Sequence, residues 1–399
     1  MEILRLLLRG FALPLAILLS APCSGAGGPG ILPLRTIADV PLPGRRTRWD
    51  YESLDPSRHL LFLAHLGDST VVVFDTESGK VIAAIPDVSH VHGVLAIPAL
   101  SRVYASATGT NEVVAIDENT LKITARVPAG IYPDGIAYSP DVDKLFVSDE
   151  TGATDTVIDV ATNKRIATIA LGGEVGNTQY DPVSKHIFAN VQTRNDLVEI
   201  DPVSDKLVAR HPLPGARGNH GLLIDPADGL AFIACEGNDK LLVLDMRTMQ
   251  ITATFVVGND PDVLAYDGGL RLLYVASESG VVSLFRVKGR AVEKLGESRL
   301  GPNAHAVTVD PATHKAYFAL KEWKGRPVLR ITQPLRSISG LPAVPGGQTP
   351  RRRARNIGSL PGIELTPATT LEHQRRQRSS SVSSDKAPLL KFRSSMIAA

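Results

Sequence analysis

Acidic and histidine side chains recur in this chain at nearly equal intervals. Asp50, His92, Asp134, His220, Asp262 and His305 take six places of a seven-place series, and Gly176 takes the other. The steps between successive places are 42, 42, 42, 44, 42 and 43 residues. His90 stands two residues before His92, so four of the 10 histidines lie at or beside this series, far more than even scatter would put there. Imidazole and carboxylate are both ligands for Zn, Cu or Mn, and an ion held by His92, His220 and His305 could activate water or polarise a carbonyl. The bland alternative needs no ion: Asp and His alternate around much of the series, and neighbouring pairs can satisfy each other by hydrogen bonding. A structural ring, a metal or small-ligand site and a catalytic site therefore all stay open, because a fold does not fix a function.

The elements that must position these residues follow from the same period. Five residues after each place comes a turn, as in Asp55-Pro56, Ser139-Pro140, Asp181-Pro182, Asp225-Pro226 and Asp310-Pro311. Between turns lie short apolar, β-branched runs such as Leu60–Ala64, Val71–Asp75 and Val81–Ile85, which read as strands. No long 3.6-residue period competes with them. Seven units of about 42 residues, each of four strands, predict an all-β, seven-bladed β-propeller. The seventh unit has its third strand near Pro327–Thr332 and no fourth strand after it, whereas Leu34–Val40 looks like a fourth strand. The N-terminal strand is therefore expected to complete the last blade, which removes two exposed sheet edges. In this architecture the series lies where first strands enter the central channel. The expected ligand-binding residues are Asp50, His90, His92, Asp134, His220, Glu236, Asp262 and His305. Arg48-Trp49 precede Asp50, and the second-strand exits add His65, Asp149, Asn190, Glu278 and Lys321.

Composition narrows the setting. Of 399 residues 43% are hydrophobic and 21% charged, enough for a large core and too ordered a mixture for wholesale disorder. The net charge of +2 argues against a dedicated nucleic-acid binder, and aromatic content of 5% against a run of base-stacking platforms. That charge is uneven: residues 1–332 carry −6 and residues 333–399 carry +8. Arg5 and Arg9, the apolar stretch Phe11–Leu19 and the small residues Ser24 and Ala26 form a signal-peptide pattern, with cleavage expected after Ala26. A lipoprotein cut before Cys23 is disfavoured by Pro22. No later run reaches the length of a membrane span, so the mature chain is expected to be periplasmic or secreted, and monomeric. Its one cysteine, Cys235, sits in an apolar run and reads as packing. The propeller is expected over residues 34–332, and the Ser-, Pro- and Arg-rich remainder to 399 as a disordered basic tail. No nucleophile elbow, phosphate loop, HExxH or haem-attachment motif is present, and nothing in the sequence names a cofactor.

The segment Leu145-Phe-Val-Ser-Asp149 with Thr156-Val-Ile-Asp-Val-Ala-Thr-Asn-Lys-Arg-Ile-Ala-Thr-Ile169 resembles the YVTN-type (YncE-like) propeller repeat, and so does Ile131-Tyr-Pro-Asp-Gly-Ile-Ala-Tyr-Ser-Pro140. The resemblance spans roughly residues 34–332 and implies an exported bacterial propeller with no assigned chemistry and no catalytic residue to carry over. The function expected is a scaffold that binds a protein partner or small ligand at the channel mouth. The alternative is a metal-dependent hydrolase or lyase using the same His and Asp residues.

Overall fold

The computed structural model describes residues 31–339. They form seven four-stranded antiparallel sheets arranged as the blades of a propeller. Six blades are built from consecutive strands; blade one, for example, runs Glu52–Asp55, Leu60–His65, Thr70–Asp75 and Lys80–Ile85. Blade seven takes Thr308–Asp310, Lys315–Trp323 and Arg326–Pro334 from one end of the chain and Leu34–Pro41 from the other. Leu34 pairs with Pro334 and Pro41 with Val328, with a bulge between Thr36 and Ala38. The closing strand inferred from the sequence is thus present, and it covers the outer edge of Arg326–Pro334. The described chain continues past Thr332 through Pro334 into a short helix, Arg336–Ser339, tied back by the Leu335 amide to the Pro33 carbonyl at 2.9 Å. The leader-like residues 1–26 and the tail beyond 339 lie outside the described residues.

Burial explains the strand patterns. Middle strands such as Leu60–His65 are buried on both faces, because each blade is covered by a neighbour on either side. Outer strands such as Lys80–Ile85 alternate exposed and part-buried residues. Apolar clusters fill the seams between blades; the seam joining blades seven and one holds Trp49, Leu61, Leu63, Phe74, Tyr317 and Leu329. Each large side chain buried there contributes roughly 1.5–3 kcal/mol. Cys235 is a free, buried member of the seam between blades four and five. Third and fourth strands meet at Asx turns: the Asp75 carboxylate accepts the Glu77 and Ser78 amides, and Asp117 and Asp159 repeat the motif.

One recurring irregularity matters for function. In blades two to six the ladder between first and second strands slips just after it starts, between Val91 and Val94, Pro133 and Ile136, Val175 and Thr178, Asn219 and Leu222, and Pro261 and Leu264. His92, Asp134, Gly176, His220 and Asp262 each lie inside such a bulge, where side chains are re-aimed out of the pleat. The residue after the anchor is pressed against the next blade. A Cβ on Gly93 would come 2.0 Å from the Asp134 carbonyl oxygen, and one on Gly221 would come 2.0 Å from that of Asp262. Glycine there is a requirement of blade-to-blade approach.

Candidate functional site

The re-aimed side chains open onto a cavity of about 380 Å³ at one end of the channel. Its wall includes His92, Asp134, His220 and Asp262 from the first strands and Asp50 from just before one, joined by Glu150, Glu236 and Glu278 from just beyond the second strands. Arg48, Tyr132 and Asp260 stand on the loops that precede the first strands. His305 lies behind this surface, fully buried, with Nε2 3.9 Å from Asp50 Oδ1, 3.8 Å from Asp262 Oδ2 and 3.7 Å from Glu278 Oε1. Inter-blade hydrogen bonds hold the ring: Asn190 donates to the carbonyls of His220 at 3.0 Å and Gly221 at 3.1 Å, and the Ser106 hydroxyl donates to that of Asp134 at 2.6 Å.

Each histidine has its own arrangement. His92 Nδ1–H donates to the His90 carbonyl at 2.9 Å, which leaves Nε2 to accept from the Tyr132 hydroxyl at 3.1 Å. His90 itself is exposed, with φ of 44°, and borders a side cavity beside His92; its carbonyl, not its ring, serves the chamber. His220 Nε2 faces Asp134 and Asp262, both at 3.5 Å, and its Nδ1 faces Glu236 at 3.9 Å. Two groups bring three potential donor atoms within 4.8 Å of one another: Asp50–Asp262–His305 and His220–Glu236–Asp262. No such group among the described residues gathers His92, His220 and His305.

The second-strand exits divide differently from the expectation. Glu236 and Glu278 reach the chamber. His65 does not: its ring stacks on Trp49, with centroids 3.8 Å apart and planes 6° apart, and its Nε2 meets the Thr47 hydroxyl at 3.0 Å. Burial lowers its pKa to about 4 and keeps it neutral. Asp149 turns inward to accept from Thr154, Thr156 and the Gly130 amide. Asn190 is taken up by backbone carbonyls, and Lys321 is exposed on blade seven. The second-strand exit that lines the chamber on blade three is Glu150. A fixed offset finds it, since Glu150, Glu236 and Glu278 all directly follow the last residue of a second strand.

The chamber gathers more acidic groups than basic ones. Seven carboxyl groups (Asp50, Asp134, Glu150, Glu236, Asp260, Asp262 and Glu278) face one arginine and the imidazoles of His92 and His220, with His305 behind. Burial opposes the charge on His220, but Glu236, Asp262, Asp134 and Glu150 raise its pKa to about 9. Burial lifts Glu236 to about 7, with His220 pulling the other way. Asp134 and Asp262 are also pushed upward by burial. Asp50 is the exception: burial pushes it up, yet His305, Arg48 and His92 together hold it well below the usual carboxylate range. Arg48 makes an ion pair of 2.7 Å with Glu278 and one of 3.2 Å with Asp50.

Tyr51 bounds the chamber on its inner side. Its side chain leaves blade one and crosses the channel, donating to Asn177 Oδ1 of blade four at 2.7 Å and lying 3.3 Å from His220 Nε2 of blade five. The same position is glycine at 93, 135 and 221, which leaves room for the phenol, and Asn177 at the blade-four position is its partner. A second cavity of about 270 Å³ lies on the far side of Tyr51.

Fold and site together define a seven-bladed β-propeller with a polar chamber at one mouth of its channel. No known family's sequence profile matches the chain, and no curated protein does either. Among solved structures it is similar to a chain of hydrazine synthase from Kuenenia stuttgartiensis, with a TM-score of 0.62 and 15% identity over 74% of this chain and 97% of that one. At that identity the likeness shows the fold. Among the described residues no helix is long and apolar enough to cross a membrane.

Proposed function

We propose that this chain is an exported, monomeric binding propeller of the YVTN type, whose polar mouth takes up a small cationic ligand. The observation that carries this reading is the surplus of carboxylates: seven acidic groups share one cavity with a single arginine, and a focused field of one sign raises the local concentration of the opposite charge. The leader-like first 26 residues support export, and the repeat resemblance supports the family. A metal-dependent hydrolase or lyase is the second reading, favoured by the Tyr132 hydroxyl held against His92 Nε2 at 3.1 Å on the chamber wall, a pair with proton-transfer geometry.

The test is thermal melting of the full chain with spermidine and Mn²⁺ against citrate and phosphate. The cations are expected to raise the melting temperature, a ligand at 100 times its Kd adding about 2.7 kcal/mol. The anions are expected to leave it unmoved. The double variant Glu150→Gln/Glu236→Gln is expected to shrink the cation shift. Stabilisation by the anions alone would refute a cation-binding mouth.

A further inference from the structure

We propose that His305, Asp50 and Asp262 form a binding site for a divalent first-row transition-metal ion on the wall of the polar chamber. The inference rests on the reading of the mouth as a cation site and names the class of cation. His305 is the observation that demands an explanation. Its side chain is wholly buried, and neither ring nitrogen has a hydrogen-bond partner. Buried polar atoms are rarely left so. Nε2 points at Asp50 Oδ1 and Asp262 Oδ2 from 3.9 and 3.8 Å, distances too long for hydrogen bonds.

Those spacings suit donors around a common centre. An ion about 2.1–2.2 Å from tetrahedral donors sets them about 3.4–3.6 Å apart; both spacings from His305 exceed that by a few tenths of an ångström, and the two carboxylates offer oxygens within 4.8 Å of each other. Asp50 and Asp262 turn their other oxygens away from His305, Asp50 Oδ2 toward Arg48 at 3.2 Å and Asp262 Oδ1 toward His220 at 3.5 Å. One imidazole with two carboxylates suits Zn²⁺, Mn²⁺ or Fe²⁺; there is no thiolate to select Cu⁺. Arg48 stands on the solvent side of the group. It pairs with Glu278 at 2.7 Å and with Asp50 Oδ2 at 3.2 Å, leaving Asp50 Oδ1 toward His305, and lies 3.9 Å from Asp262 Oδ2. Arg48 is therefore a resident positive charge that an incoming ion must tolerate, and removing it should tighten binding.

The test uses the full chain, stripped with a chelator and titrated calorimetrically with Mn²⁺ and with Zn²⁺. Nitrogen hyperfine coupling to bound Mn²⁺ serves as the signature of an imidazole ligand. One equivalent is expected, with one coupled nitrogen. His305→Gln should abolish the coupling and weaken binding by more than about 100-fold, the upper end of what outer-sphere changes cost. Asp262→Asn should weaken it comparably with the coupling retained, and Arg48→Gln should strengthen it several-fold. Should His305→Gln fail to fold, Asp262→Asn and Arg48→Gln carry the test by their opposite directions. Absence of metal binding by the folded chain would overturn the proposal, as would unchanged binding in His305→Gln. Coupling lost in His220→Gln but kept in His305→Gln would overturn it too, by placing the ion at His220, Glu236 and Asp262. Stabilisation by spermidine without metal uptake would defeat this site while leaving the cationic mouth standing; loss of both would defeat both.

Discussion

The two cavities of the channel are built from the same inner strands and share Tyr51, yet they differ in kind. The mouth chamber is walled by carboxylates, imidazoles and one guanidinium. The inner cavity is walled by residues such as Ser53, Leu95, Gln179, Val263 and Val309. The difference follows the hydrogen-bond ladder. His92, Asp134, His220 and Asp262 take the first place in their bulges and face the chamber; the second place, as at Asn177 and Val263, faces the inner cavity, which Leu95 and Gln179 continue where the pairing has become regular, opposite Tyr104 and Phe188. Each regular strand is bound to its blade's packing, and each bulge releases a residue or two from it. Chemistry is concentrated where the repeat's own geometry is broken.

The most severe way to break this comparison is to open the ring, which should remove both cavities. Deleting residues 27–41 strips blade seven of its outer strand and exposes the Arg326–Pro334 edge. Loss of a cooperative melt, or a fall of more than about 10 °C, is expected from a change costing several kcal/mol; a melt within a few degrees of the intact chain would show that closure is dispensable.

A smaller intervention targets the bulges alone. Gly221→Val places side-chain atoms against the Asp262 carbonyl, and crowding of this kind costs about 1–3 kcal/mol. The mouth should be displaced and the regular ladder spared, so denaturant melts should show the loss while backbone amides of the second and third strands of blade five keep their hydrogen-exchange protection. Equal loss of protection throughout the blade would contradict the separation of bulge from ladder.

The subtlest change is in pH. His220 has its pKa raised in the fold to about 9, so its contribution is fully present below its unfolded value near 6.5 and is lost as pH rises through 9. Glu236, raised to about 7, costs stability above its unfolded value near 4.5. Both push the same way, so stability should fall between about pH 5 and 9 by a few kcal/mol. In His220→Gln the fall between pH 6.5 and 9 should flatten. An equally steep fall in that variant would assign the pH dependence to other groups.

The blade count and the closing strand are legible in the sequence because both rest on a period repeated seven times, and a periodic signal survives local irregularities. The anchor column is legible for the same reason. Glu150 is not, because an apolar run marks the end of a second strand, and the run in blade three stops before Asp149 and Glu150. His65 looks like a mouth residue by position, but Trp49 beside the first anchor packs into the seam and takes the imidazole with it. Tyr51 is recorded in sequence only as an aromatic in a column that favours glycine, and that it bridges to Asn177 depends on ring closure bringing blades one and four face to face.

Tyr51 also gives the molecule a direction. With its phenol strung between opposite blades, it lies between the two cavities as a floor to one and a ceiling to the other. A guest too large to pass the phenol would leave the acidic chamber by the opening through which it came, and two such guests would compete for that portal. Exchange would then be governed by one rim, where Tyr132, Asp260 and the outward end of Arg48 stand, and the compartment beneath the floor would exchange separately.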